Sequence, residues 1–255
     1  MTVEDFLREL TAWAAMRPGV RGAVLVGSQA RSAIPADEYS DVDIAIFADD
    51  PAALLADTAW LSTFGVPLLT FLEPTAVGGQ VERRALFADG LEVDFSVFPA
   101  EGIDALAADP GAAATIARGY RILHDELGLG ELFDGLSPPD VGARDLAEIG
   151  QDFWYHAIWT AKKWRRGEAI LARSCLELHL KPLLLEADRL RARGDTWHGT
   201  RFAEEWAAPE VVDAWWQATA RSPDELPDAL RRLCDTFAER SSHDAARSRL
   251  EELLA

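Results

Sequence analysis

Polar and apolar residues alternate along two stretches of the chain, DVDIAIF at 41–47 and LEVDFSVF at 91–98. Alternation of this length predicts β-strands with one buried face, because successive side chains of a strand point to opposite sides of the sheet. A third alternating run, QVERRALF at 80–87, precedes the second stretch. The Asp89-Gly90 pair between them predicts a β-hairpin whose turn has positive φ at both central residues.

Continuous apolar runs and helical spacing fill the rest of the first half. GAVLVG at 22–27 and VPLLTFL at 66–72 predict buried strands. The N-terminal segment, SQARSA at 28–33 and DDPAALLADTAWL at 49–61 predict helices, the last of which crosses over between strands. Strand, helix, strand and hairpin together predict an α/β (α+β) sheet of mixed strand direction.

The second half has helical spacing throughout. The predicted helices are 140–166, 168–193, 209–220 and 224–254. A stretch rich in Gly and Pro, LGLGELFDGLSPP at 127–139, separates the two halves. We therefore predict a mixed-sheet domain at residues 1–136, followed by an all-helical C-terminal domain at residues 137–255.

The net charge of the chain indicates which kinds of partner it can bind. The 255 residues include 43 Asp and Glu against 25 Lys and Arg, a formal net charge of −18. A field of this sign repels nucleic acid and attracts cations, so we expect no nucleic-acid partner. Two cysteines imply no disulfide framework. Without an apolar run of about 20 residues or a basic signal peptide, we expect a cytoplasmic protein with no membrane partner, and we favour a monomer.

Three aspartates lie on the polar faces of the two alternating strands. Asp41 and Asp43 share a face of the first strand, and Asp94 lies on the polar face of the second. If the strands are neighbours, these like charges need a counter-ion, because repulsion and desolvation both disfavour them. Mg²⁺ prefers oxygen ligands, and two such ions about 4 Å apart can align an attacking oxygen and a leaving phosphate. A DxD pattern alone is common, but the third acid favours a metal site.

Gly27 and Ser28 end the first apolar strand and open the predicted short helix. Free backbone N–H groups at a helix N-terminus bind phosphate, and glycine allows phosphate to approach the backbone closely. This is not a Walker A loop, because no Gly-Lys-Ser/Thr follows. Since the pair comes shortly before Asp41 and Asp43, it indicates a site for a nucleoside triphosphate with metal.

The same stretches resemble a known family. VGSQARS…SDVDIAIF is similar to the GS…DxD signature of the DNA polymerase β-like nucleotidyltransferases, and LEVDFSVF fits the third metal ligand of that superfamily. FGVPL, LFADGLEVDFSVFP and DFWYHAIWTAKKWRRGE resemble one branch, the aminoglycoside 6-adenylyltransferases (streptomycin adenylyltransferases). The resemblance runs through most of residues 20–185. It implies a nucleotidyltransferase domain that binds ATP and Mg²⁺, and a helical substrate-binding domain that closes a deep acidic cleft over the antibiotic.

The resemblance also implies roles for individual residues. Asp41, Asp43 and Asp94 would bind the metal ions, and Asp94 is also a candidate acceptor for the hydroxyl proton. The residues implied to hold the triphosphate are Gly27, Ser28 and Lys162, with Lys163 as an open alternative to Lys162. Relatives commonly have Arg after Gly-Ser, whereas this chain has Gln29; Arg31 could supply that charge.

The predicted function is Mg²⁺-dependent transfer of AMP from ATP to a hydroxyl of an aminoglycoside such as streptomycin, which confers resistance. One alternative keeps this chemistry with another small molecule, a protein or an RNA as acceptor. Another alternative is a nucleotide-binding protein without catalytic activity. Gln29, in place of the usual Arg, would be consistent with that alternative. Glu73, at the end of an apolar strand, is a further candidate base or ammonium ligand. Around His179 the sequence does not match H-E-x-x-H, so we predict no zinc site on that helix.

Overall fold

The computed structural model describes residues 1–31, 36–75, 79–136, 144–192 and 200–255. The chain divides into two compact units, residues 1–141 and 142–255. Within the described residues, the first unit holds all the strands and the second holds only helices. The expected fold class, a mixed sheet followed by a helical part, is confirmed. The predicted boundary after residue 136 borders a segment outside the described residues and stays a prediction.

Six described strands form one sheet in the order β3-β4-β5-β2-β1-β6. Their bounds are β1 Val20–Val26, β2 Val42–Ala48, β3 Pro67–Pro74, β4 Val81–Phe87, β5 Glu92–Pro99 and β6 Arg121–Asp125. The neighbours β2 and β5 run parallel, and the other neighbours run antiparallel. The sheet is therefore mixed, as predicted, and it includes β6, a strand that was not predicted from the sequence.

The helices of the first unit are mostly short. They are α1 Val3–Met16, α2 Pro51–Ala56, α3 Ile103–Ala107, α4 Pro110–Ala117 and α5 Leu129–Asp134. The prediction of one crossover helix over 49–61 is wrong, because α2 ends at Ala56 and a separate 3₁₀ turn covers Ala59–Thr63. The side chain of Asp57 accepts a hydrogen bond from the Ala59 N–H at 2.9 Å. Such a local bond competes with the helical hydrogen bonds and ends the helix.

The predicted hairpin joins β4 to β5, but its turn differs from the prediction. Among the two central residues only Gly90 has positive φ, +89°. The Gly90 N–H donates to the Phe87 carbonyl at 2.9 Å, and the Phe87 N–H donates to the Leu91 carbonyl at 2.9 Å. This is a three-residue loop with glycine in the left-handed position, the usual alternative to a two-residue turn.

The two faces of the sheet pack differently. Ile44 and Phe95 lie in the larger core, which α1 covers with Phe6 and Leu10. The opposite face carries a smaller apolar cluster with α4 and α5, to which Phe47 belongs. Asp43 and Asp94 point to this second side, since they alternate with the buried residues of β2 and β5. Alternation thus lets each strand bury one face while it presents carboxylates on the other.

The helices of the second unit range from four to 20 residues in length. They are α6 Leu146–Arg165, α7 Ala169–Cys175, α8 Lys181–Arg189, α9 Ala203–Trp206, α10 Pro209–Gln217, α11 Leu226–Ala238 and α12 Asp244–Leu254. A π-helical turn, Leu176–Leu180, joins α7 to α8 without a break. The predicted start of the first helix at residue 140 lies outside the described residues. In the described part of the chain we find no helix with the length and apolar character that a membrane span needs.

The prediction of one last helix over 224–254 is wrong. Residues 239–243 separate α11 from α12. The Trp154 indole N–H donates to the main-chain carbonyl of Ser241 at 2.9 Å. The side chain of His243 accepts from the Ala246 N–H and caps the next helix. Hydrogen bonds formed at this corner replace those that a continuous helix would make.

Candidate active site

Three carboxylates meet on the second face of the sheet. Asp43 of β2 lies directly opposite Asp94 of β5 in the parallel pair, and Asp41 precedes β2 by one residue. Carboxylate oxygens of the three residues lie within 4.8 Å of one another. The structure thus brings together all three of the aspartates that alternation places on one side.

Gly27 and Ser28 lie beside this cluster. Val26, the last residue of β1, pairs with Asp43, so Gly27 follows at the edge of the carboxylates. The predicted helix over 28–33 is wrong in its described part, where Gly27–Gln29 form a 3₁₀ turn. Ser28 is buried, and its hydroxyl donates to the main-chain carbonyl of Asp41 at 3.3 Å. This bond ties the segment before β2 to the end of β1.

Arg84 of β4 lies next to the carboxylates and balances part of their charge. It pairs in register with Asp94, and its guanidinium lies 3.3 Å from the Asp94 carboxylate. It also contacts Glu82 at 2.9 Å and Glu73 at 2.7 Å. Glu73, a candidate base in the sequence analysis, is therefore an ion-pair partner of Arg84. Alternation in VERRALF and the hairpin pairing are the sequence signals that could have located Arg84 opposite Asp94.

Asp94 is the most buried of the three carboxylates. Burial is the largest cause that raises the pKa of Asp94 to about 6. The positive charge of Arg84 lowers this pKa, and the negative charges of Glu82 and Asp41 raise it further. A cation placed between the carboxylates would lower the pKa of Asp94, because it stabilises the ionised form.

The donor set suits a hard divalent cation. All three groups offer carboxylate oxygen, the ligand type that Mg²⁺ prefers. Oxygens bound to one Mg²⁺ at about 2.1 Å are about 3 to 4 Å apart. The carboxylate oxygens of this cluster lie within 4.8 Å of one another, so any adjustment needed to reach that range is small. Asp41, Asp43 and Asp94 therefore fit Mg²⁺.

Lys162, the other residue assigned to the triphosphate, is in the last turn of α6. Its side chain is exposed. Neighbouring Lys163 instead forms an ion pair with Glu168 at 2.9 Å and lies 5.2 Å from the centre of the Trp159 ring. Of the two lysines, Lys163 is held by its own unit, which favours Lys162 as the residue available to a ligand.

Comparison with known protein families shows to which family this chain belongs. The family model described as streptomycin adenylyltransferase matches residues 1–251. This chain belongs to the streptomycin adenylyltransferase family. The resemblance stated from the GS…DxD signature is thereby confirmed.

This adenylyltransferase-family chain is similar to several known proteins. An aminoglycoside 6-adenylyltransferase of Campylobacter jejuni is 33% identical over 90 residues, which cover 33% of this chain and 31% of the relative. The aligned part thus spans about a third of the curated relative. A solved aminoglycoside 6-adenyltransferase from Bacillus subtilis is 16% identical with a TM-score of 0.36, covering 100% of this chain and 92% of the other. A nucleotidyltransferase-like protein from Exiguobacterium sibiricum is 14% identical with a TM-score of 0.37, covering 99% and 78%.

We expect Gly27→Ala to lower the rate of ATP-dependent pyrophosphate release about a hundredfold, because a displacement of about 1 Å at a reacting site costs that much. Gly27 has φ of +70°, and a Cβ there would lie 1.9 Å from Asp43 Oδ2. The carboxylate must move away. Pyrophosphate release at saturating ATP measures the effect.

Gly128→Ala is the matched control for backbone strain. Gly128 has φ of +74°, and a Cβ there meets no atom within 4 Å. Both variants should lose about 1 kcal/mol of stability, since alanine disfavours positive φ. Equal activity of the two variants would contradict a role for the contact between Gly27 and Asp43.

We expect Asp94→Asn to stabilise the metal-free protein above pH 6. The folded pKa of about 6 exceeds the usual 3.8, so the wild type loses stability as the pH rises from about 4 to about 6. A shift of about 2 pH units corresponds to about 3 kcal/mol, and the variant removes this penalty. Hydrogen exchange of the β5 amides in EDTA, from pH 4.5 to 8, measures it. Glu92→Gln, at an exposed position of the same strand, is the control. A stability gain in Asp94→Asn that did not change with pH would show that ionisation of Asp94 is not its cause.

Proposed function

We propose that this protein transfers the AMP part of ATP to a hydroxyl of an aminoglycoside such as streptomycin and releases pyrophosphate. The observation that carries the proposal is the cluster of Asp41, Asp43 and Asp94 in a chain of the streptomycin adenylyltransferase family. Asp43 on β2, Asp41 just before it and Asp94 on the neighbouring strand would form a site for Mg²⁺ beside a glycine that leaves room for phosphate.

In the proposed reaction the hydroxyl oxygen bonds to the α-phosphorus of ATP, and the bond from that phosphorus to the bridging oxygen breaks. When bound, Mg²⁺ would neutralise charge on the phosphate oxygens and help to align the two oxygens in line. Asp41 and Asp43 would hold the metal. Asp94 would contribute a metal ligand or take the hydroxyl proton, and its pKa of about 6 leaves it mostly ionised at neutral pH.

The phosphate contacts are part of the same proposal. Gly27 would allow the triphosphate to approach the backbone, and Ser28 would hold the turn against the strand of Asp41. Lys162 would supply positive charge, which agrees with its exposure and with the engagement of Lys163 by Glu168. Gln29 offers hydrogen bonds but no charge, so this chain would rely on Lys162 more than relatives that have Arg at that position.

Charge supports a cationic acceptor. The net charge of −18 would attract a polycationic aminoglycoside and repel nucleic acid. We place the reaction in the cytoplasm, with ATP and Mg²⁺ as the available reagents. An RNA acceptor is the alternative that this charge disfavours most.

The test is mass spectrometry of streptomycin and a panel of other aminoglycosides after incubation with protein, ATP and Mg²⁺. We expect one of them to gain the mass of a single AMP group, with one pyrophosphate released for each. Omission of ATP and chelation of Mg²⁺ are the controls. The absence of an adenylylated product across the panel would contradict the acceptor. ATP-dependent pyrophosphate release with a different acceptor would keep the chemistry and change the substrate.

A further inference from the structure

A second group of possible metal ligands lies in the helical unit. Asp152 and His156 are one turn apart on α6, and His179 comes from the π-helical turn between α7 and α8. Asp152 Oδ1 lies 2.7 Å from His156 Nδ1 and 2.9 Å from His179 Nε2. The two ring nitrogens are 3.1 Å apart. The three ligand atoms therefore form a small triangle.

The backbone around His179 is specialised. Within Leu176–Leu180 the hydrogen bond runs from the Lys181 N–H to the Leu176 carbonyl, a five-residue step. Such π turns are rare and occur frequently at functional sites, because the wider turn changes the direction of a side chain. This turn carries His179, the member of the triangle that does not belong to α6.

The carboxylate of Asp152 is held in place from its other side. Arg144 donates to Asp152 Oδ2 at 2.8 Å, which leaves Oδ1 to face the two imidazoles. A second acid, Glu186, lies 3.7 Å from the same guanidinium and offsets part of its charge. Hydrogen-bonded partners that orient a ligating carboxylate in this way are typical of metal sites.

We propose that Asp152, His156 and His179 bind one divalent transition-metal ion, with Zn²⁺ as the reference ion. Ligand atoms at about 2.0–2.1 Å in a tetrahedral zinc site are about 3.3 Å apart. The triangle of 2.7, 2.9 and 3.1 Å needs to widen by only a few tenths of an ångström. Two imidazoles favour zinc over Mg²⁺. The side chains of His156 and His179 are 33% and 40% exposed, so a water molecule or a ligand oxygen can complete the coordination.

The test uses the full-length protein after treatment with a chelator. Co²⁺ is titrated while its visible absorption is followed, and Zn²⁺ is then added in competition. We expect one tight ion per chain at this site, with absorption bands of nitrogen-bound Co²⁺ that Zn²⁺ abolishes. His156→Gln and His179→Gln should each weaken Zn²⁺ binding at least about a hundredfold, since loss of even an outer partner costs about 10–100-fold.

Two control variants separate this site from other sites on the chain. His243→Asn removes an exposed imidazole but keeps a capping group for α12, so Zn²⁺ binding should be unchanged. Asp43→Asn alters the carboxylate cluster of the first unit and should also leave this Zn²⁺ site intact. Unchanged Zn²⁺ affinity in His179→Gln, with a native circular dichroism spectrum, would overturn the proposal. Loss of the tight ion in Asp43→Asn would overturn it too, because the ion would then belong to the first unit.

Discussion

Asp43→Asn is expected to lower kcat for adenylyl transfer about a thousandfold. Asp43 is the central member of the cluster, since it lies opposite Asp94 and next to Gly27. In the proposed reaction its replacement would remove a negative metal ligand and about 4 kcal/mol of transition-state stabilisation, which corresponds to roughly three orders of magnitude in rate. Pyrophosphate release and adenylylated product, measured together at saturating Mg²⁺ and ATP, give the rate.

Asp49→Asn is the matched control for this experiment. Asp49 follows the same strand at its opposite end, is exposed, and loses the same charge on substitution. Its activity should stay within about twofold of the wild type, as is usual for exposed substitutions. If Asp43→Asn retained more than a tenth of the wild-type kcat, Asp43 would not be an essential metal ligand. A melting temperature close to the wild type would exclude unfolding as the cause of a loss.

Arg240→Ala is expected to lower the free energy of unfolding of the helical unit by about 3–5 kcal/mol. The Arg240 side chain is only 1% exposed, and Asp188, which it contacts at 3.0 Å, is also buried. Arg240 also contacts Glu210 at 2.9 Å, so it connects the segment after α11 with α8 and α10. Removal of the guanidinium leaves the Asp188 carboxylate buried with an uncompensated charge. Denaturation followed by tryptophan fluorescence reports on this unit, because Trp13 and Trp60 are the two of nine tryptophans outside it.

Arg249→Ala is the comparison for an exposed ion pair. Arg249 and Glu252 lie 2.6 Å apart on α12, with more than half of each side chain exposed. Its loss should cost less than about 1 kcal/mol. Asp188→Asn combined with Arg240→Met should recover part of the stability, because the amide still accepts from the Ala208 N–H. An equal loss of unfolding free energy in Arg240→Ala and Arg249→Ala would show that burial of the Arg240 ion pair does not determine its contribution.

The faces of the strands could be predicted from the sequence because they depend on a local property. A strand has a period of two, so Asp41 and Asp43 must share a side whatever the rest of the chain does. The hairpin at Asp89-Gly90 is local as well, and it is present. Its turn type could not be predicted, since the choice between a two-residue and a three-residue loop depends on the pairing of Phe87 and Leu91.

The partners of the carboxylates depend on strand order, which local patterns do not specify. Arg84 contacts Asp94 because β4 is the neighbour of β5, and Glu73 joins them because β3 is the neighbour of β4. From local patterns alone, Glu73 is therefore a candidate separate from the three aspartates. The parallel pairing of β2 with β5, which aligns Asp43 with Asp94, is equally a tertiary property.

The helical unit shows the same limit. Helical spacing predicts α6 and α10 well, but it does not indicate the break between α11 and α12. At that break the Ser241 carbonyl accepts a hydrogen bond from Trp154 of α6. The H-E-x-x-H pattern covers only zinc ligands spaced along one helix. His179 instead lies close to two residues of a different helix, Asp152 and His156. A contact between helices leaves no regular spacing in the sequence.

The π-helical turn at Leu176–Leu180 also explains a repeat in the buried side chains. Buried residues recur every four positions, at Ala172, Leu176, Leu180, Leu184 and Asp188. In an uninterrupted α-helix a four-residue repeat drifts by about 40° at each step, because each residue turns the helix by about 100°. The wider π-helical turn rotates less per residue, which cancels much of this drift. The stripe can therefore stay on one side of a helix that runs from α7 through α8, which a strictly α-helical chain with this sequence could not achieve.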